Sequence, residues 1–135
     1  MSLVLDCSVA MGWCFEDESG DYGDRVLDAL EKGEALVPSV WSLEVANVLV
    51  IAERRGRLKV GETARFLELL QSLPIFVEEV SLPRATGAVL SLARELDLSA
   101  YDASYLELAM RSGVPLATHD LALIQAAGNV GVPRF

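Results

Sequence analysis

Apolar positions along the chain follow two rhythms. Some fall in short runs with no polar alternation; others recur every three or four residues over longer stretches. The short runs "SLVLD", "ALVP", "IFVEEV" and "VPLAT" each predict a buried strand, and "NVGV" predicts a last, weak one. Between them lie helical periods. Residues 21–31 carry Val26, Leu27 and Leu30 as an apolar stripe, with Gly33 as a stop. Residues 39–55 predict a helix that is apolar nearly all round. Val45, Val48, Leu49 and Ala52 lie on one side, Val50 and Ile51 on others. Such a helix is buried or meets a second subunit. Residues 61–73 place Phe66, Leu69, Leu70 and Leu73 on one face, closed by Pro74. Ser81 and Pro83 supply helix-start chemistry, and Ala85, Ala88, Val89, Leu92 and Leu96 keep the helical period. A helix over residues 101–111 ends at Gly113, and one over residues 120–127 is stopped by Gly128.

Short, unalternating strands that alternate with helices predict a doubly wound α/β/α sandwich with a parallel sheet. With 135 residues, 52% of them hydrophobic, one domain over residues 1–135 with one sizeable core is expected. No apolar run reaches the roughly 18 residues of a membrane span. The most apolar region, residues 36–52, is broken by Pro38, Ser39, Ser42, Glu44 and Asn47. "MSLVLDCS" lacks a basic region, so no secretion signal is expected and a cytoplasmic location is the default. Cys7 and Cys14 do not have metal-site spacing and read as reduced thiols. A Cys–His pair with His119 has no local support.

The formal net charge of −9 argues against a broad electrostatic grip on nucleic acid. The charge is uneven. Glu16, Asp17, Glu18, Asp21, Asp24, Asp28, Glu31 and Glu34 crowd the first quarter, whereas "ERRGRLK" gathers Arg54, Arg55, Arg57 and Lys59. Both read as solvated surface; the basic patch has a second reading, as a contact for a polyanion or an acidic partner.

Function in an open parallel sheet gathers at the carboxyl ends of the strands. Asp6 ends the first strand, Asp120 follows the fourth, and Glu44 lies early in the helix after the second. Asp102 opens the helix that leads into the fourth strand. Asp6, Glu44 and Asp120 therefore emerge near one rim on topology alone, and Asp102 joins them if its helix starts there too. Each acid has a structural reading. Asp102 can form a capping box with Ser99, Asp120 can be an N-cap, and Asp6 can serve the turn at Ser8. Glu44, within an apolar helix, is expensive unless paired. Two carboxylates about 5 Å apart repel by roughly 3 kcal/mol at an effective dielectric near 20. A shared rim therefore calls for raised pKa values or a divalent cation. Oxygen-only ligands select Mg²⁺ or Mn²⁺.

The pieces "LVLDCSVA", "VPSVWSLEVANVL", "LSAYDASYLELA" and "LATHDLAL", in that order, resemble the PIN domain. The likeness is specifically to the VapC ribonuclease toxins of VapBC toxin–antitoxin modules, and it covers essentially the whole chain. The resemblance implies that Asp6, Glu44, Asp102 and Asp120 form an acidic, metal-binding catalytic quartet. Ser8 and Thr118 would support it, and Asn47 would orient Glu44. It further implies Mg²⁺-dependent cleavage of RNA by a metal-activated water, inhibition by a cognate VapB-like antitoxin, and a homodimer. "ERRGRLK" or Arg84 would supply positive potential for the RNA. "LALIQAA" after Asp120 lacks the further acid that some relatives carry, so a second metal position is open, and His119 is expected at the surface or behind the metal-binding acids, not as a general base. The alternatives are a non-catalytic PIN-like binding module and a metal-dependent nuclease of another pathway. A response-regulator receiver domain would need an acidic pair after the first strand and a lysine after the last; neither is present.

Overall fold

The computed structural model describes residues 1–18 and 20–135; Ser19 and the side chain of Glu16 lie outside that description. Four strands, β1 (Ser2–Leu5), β2 (Glu34–Pro38), β3 (Ile75–Glu78) and β4 (Leu116–Ala117), form one sheet in the order β3-β2-β1-β4. All pairings are parallel: Leu3 opposes Ala35, Val4 opposes both Leu36 and Leu116, and Leu5 opposes Ala117. β1 is flanked on both sides, which is why "LVL" is continuous apolar sequence. Leu3, Val4 and Leu5 are at most 1% exposed. β3 is an edge strand, and Phe76 and Val77 are correspondingly half exposed.

Among the described residues, eight α-helices accompany the strands: α1 (Cys7–Gly12), α2 (Asp21–Ala29), α3 (Val40–Arg54), α4 (Val60–Ser72), α5 (Leu82–Arg84), α6 (Leu90–Leu96), α7 (Ala100–Ser112) and, after β4, α8 (Leu121–Asn129). From β1 the chain winds through β2 to β3, then returns past β1 to β4. The crossovers into β2 and β3 run one way along the sheet and the crossover into β4 runs the other, and right-handed connections of that kind carry their helices to opposite faces. α7 is the central helix. Its residues 103–109 are buried without a break, as expected of a helix enclosed by β1 and β2 on one side and α6 and α8 on others.

The predicted elements differ from the observed ones in three places. Residues 7–12 carry α1, which no periodicity predicted because six residues show less than two helical turns. "NVGV" is not a strand: Asn129 ends α8, Gly131 turns at φ +76°, and the chain returns to the sheet only through a bridge between Leu116 and Arg134. Gly128 accordingly lies within α8 rather than stopping it. The long helical period after Ser81 holds, with a π-helical stretch at Ala85–Val89 between α5 and α6.

Candidate active site

The direction of winding reverses between β1 and β4, so a crevice opens at the carboxyl ends of these two strands. Asp6 sits there, directly after β1, with its N–H donating to the Ala117 carbonyl oxygen at 2.9 Å. Its side chain is buried, and its Oδ2 accepts hydrogen bonds from Ser8 Oγ at 2.8 Å and Thr118 Oγ1 at 2.7 Å. Thr118 Oγ1 in turn accepts from the Asp120 N–H at 3.0 Å, and Ser8 Oγ from the His119 N–H at 3.2 Å. The two strand ends are thus stitched together through hydroxyls, which can donate and accept at once.

Asp120 caps α8, its Oδ1 accepting from the Leu123 N–H at 3.0 Å. Ser99 caps α7 by accepting from the Asp102 N–H at 3.1 Å, so each helix start carries an N-cap, without the reciprocal bond of a capping box at α7. Capping does not exhaust these acids. Asp6, Glu44, Asp102 and Asp120 all line one cleft of about 710 Å³, together with Ser8, Asn47, Arg57 and His119. Glu44 reaches it from α3 and is held by Tyr105 of α7, whose hydroxyl donates to Oε1 at 2.5 Å.

The PIN domain family matches residues 3–129 of the chain. The chain is a PIN-domain protein. It is similar to the curated protein Ribonuclease VapC3 of Pyrobaculum aerophilum, with 28% identity over 125 residues, 93% of this chain and 94% of that one. The crystal structure of PAE2754 from Pyrobaculum aerophilum matches this PIN domain at a TM-score of 0.69 and 27% identity, over 93% of this chain and 87% of that one. A crystal structure of VapBC2 from Rickettsia felis bound to a DNA fragment from their promoter matches at a TM-score of 0.69. It covers 100% of this chain and 98% of that one, but at 14% identity the likeness concerns the fold alone.

The electrostatics of the PIN-domain cleft follow from crowding of like charge. Burial, then Asp120 and Asp6, push the Asp102 carboxyl above its ordinary value, with a hydrogen bond from Ser99 as a partial offset. Burial also raises Glu44; Asp6 and Asp102 add to it, and the Tyr105 hydroxyl opposes it. The same acids act on Cys7, whose thiol is pushed up to about 12 by burial, Glu44 and Asp6. A thiol held protonated is no nucleophile at neutral pH, which disposes of a Cys–His pair.

Among the described residues, no three acidic, His or Cys side chains stand close enough together to hold a metal ion as they are placed. The donor set nevertheless suits a hard cation: it is all oxygen, and Asp6 Oδ1, Glu44 Oε2 and Asp120 Oδ2 carry none of the hydrogen bonds described above.

Asn47 lines the cleft one turn beyond Glu44, and a hydrogen bond from Tyr105 holds this carboxylate. One expected placement is corrected. Arg84 is not in the cleft; its Nη1 is bound to the buried Glu107 at 2.6 Å, beside Arg111 at 3.1 Å, where it neutralises a charge that burial would otherwise penalise. Sequence reasoning missed Tyr105. A tyrosine inside a fully enclosed helix needs a partner for its hydroxyl, and that was the available signal. His119 is exposed, as expected, and packs on Tyr22 with ring centroids 5.2 Å apart.

Proposed function

We propose that this PIN domain is a divalent-metal-dependent endoribonuclease, the toxin of a toxin–antitoxin pair held in check by a cognate VapB-like antitoxin. The observation that carries the reading is the meeting of carboxylates from four separate elements in one cleft at the switch point of the sheet. Like charges gathered this way raise one another's proton affinity, as at Glu44 and Asp102, and a cation relieves the repulsion.

Asp6, Glu44, Asp102 and Asp120 would hold Mg²⁺, with Mn²⁺ as a substitute. Such an ion supplies an activated water and positive charge for the phosphate under attack. The chain's own residues do the positioning. Ser8 and Thr118 fix Asp6 by one oxygen and do not engage the other. Tyr105 does the same for Glu44. Ser99 fixes the first turn of α7 at Asp102, and Asp120 caps α8 through Oδ1. The protonated Cys7 thiol contributes no nucleophile, which suits hydrolysis by water.

Likeness to a protein named as a ribonuclease supports RNA as the substrate class. Likeness to a protein named as a VapC ribonuclease supports an antitoxin partner. Apolar side chains left outside the core on α3 and α4, Leu43, Val50 and Leu67, support self-association as a homodimer. The test is incubation of labelled RNA with the purified protein and Mg²⁺. Cleavage that EDTA abolishes is expected. Uncut RNA, from protein shown to bind the ion, would remove the ribonuclease reading and favour a binding module.

A further inference from the structure

The cleft has one feature that the acids do not explain. Among the described residues lining it, Arg57 is the one arginine or lysine, set against Asp6, Glu18, Glu44, Asp102 and Asp120. Arg57 does not trail in solvent. Its guanidinium lies over the buried Phe15 ring, 4.1 Å from the centroid. Its Nη2 donates to Asp17 Oδ1 and Oδ2 at 2.7 and 2.8 Å and to Glu18 Oε2 at 3.0 Å. All the hydrogen bonds described for Arg57 leave from this one nitrogen. Nη1 and Nε carry none of them, and 43% of the side chain is exposed.

As stabilising contacts these ion pairs are weak, because Asp17 and Glu18 are largely solvated, at 74% and 50% side-chain exposure. Their consequence is orientation. The ring below and the carboxylates at one corner keep a planar cation at the wall of the cleft, with Nη1 and Nε outside the bonds described. A guanidinium stays charged at any working pH, and those N–H groups are donors suited to phosphate oxygens. A polyanion approaching a wall of carboxylates is repelled wherever no cation faces it. The backbone of a substrate must therefore pass Arg57.

We propose that Arg57, seated on Phe15 and steadied by Asp17 and Glu18, binds a backbone phosphate next to the scissile one and so fixes the path of single-stranded RNA through the cleft. This rests on the ribonuclease reading above. The basic patch noted in the sequence thereby resolves into one residue with a defined position.

The test compares the wild type with Arg57→Gln and Arg57→Lys. The probe is a short fluorescent single-stranded RNA, with anisotropy read across a salt series and cleavage measured in parallel. Loss of one phosphate contact lowers the slope of log affinity against log salt by about 0.7. Arg57→Gln should show that decrease, with affinity at low salt down roughly tenfold. Cleavage should suffer through KM far more than through kcat. Arg57→Lys should restore the slope. A wild type that binds and cuts RNA, beside an Arg57→Gln slope that is unchanged, overturns this inference alone. If the variant's only loss is in thermal stability, Arg57 merely tethers the turn, and the inference is equally overturned. A wild type that neither binds nor cuts RNA overturns the ribonuclease reading and this inference together.

Discussion

Thr118→Val tests how the two central strand ends are joined. Thr118 is 1% exposed, and its hydroxyl is the one group that touches both Asp6 and the Asp120 backbone. Valine keeps the shape and removes both bonds. The hydrogen bond to the ionised carboxylate contributes about 1.5–3 kcal/mol. The Asp120 N–H is left without its acceptor at a half-buried position, which costs about 1 kcal/mol more, the lower end of the range for an unmet donor. The sum is about 3 kcal/mol. For a chain between the small and larger size classes each kcal/mol moves Tm by about 3–5 °C, so the expected fall is about 10 °C. Thr118→Ser keeps the hydroxyl and loses one buried methyl, a cost of about 1 kcal/mol. Urea denaturation followed by circular dichroism measures both, with an unchanged m-value as the check on the unfolded state. If valine costs less than serine, the hydroxyl does not bind these strand ends and the stitching described here is wrong.

Other outcomes follow from the same contacts. Tyr105→Phe removes the donor to Glu44 and should cost about 2 kcal/mol, with a larger loss at pH 7 than at pH 4, because the missing bond favoured the ionised carboxylate; equal losses at both pH values would count against it. Glu44 and Asp102 hold their protons more tightly folded than unfolded, so their contribution to stability is intact below the ordinary carboxylate range and fades as pH rises through the raised values. Metal-free protein should therefore lose Tm through these groups from about pH 4 upward, and the Tm gained on adding Mn²⁺ should grow over the same interval; a gain independent of pH would separate the ion from these acids. Gly33→Ala puts a Cβ 2.4 Å from the Met1 carbonyl oxygen, at the end of the sheet remote from the cleft. The backbone must shift where the Glu34 N–H meets Met1, so thermal unfolding should show a loss of about 2 kcal/mol or more, with Mn²⁺ affinity unchanged.

Strand and helix positions were legible because β1 is enclosed and α4 is amphipathic: an uninterrupted "LVL" and the spacing of Phe66 and Leu70 each allow one structure. The acids were legible through topology, since a parallel sheet sends every strand's carboxyl end to the same rim. α1 was not, because "CSVAMG" is too short for a period to declare itself. "NVGV" misled because its two valines pack against the core from a turn, as a strand's would. The roles of Tyr105 and Arg84 escaped for a different reason. Each is fixed by a partner distant in sequence, Glu44 for one and Glu107 for the other, and pairing of that kind leaves no local pattern.

The central claim is that these carboxylates act as one cation site. Calorimetric titration of the full chain with Mn²⁺ near neutral pH tests it directly, run on the wild type and on Asp6→Asn and Asp102→Asn variants shown to be folded. The account predicts saturable uptake by the wild type and a loss of about tenfold or more in affinity for each variant. Uptake undiminished in both variants, or no uptake by the wild type, would contradict it.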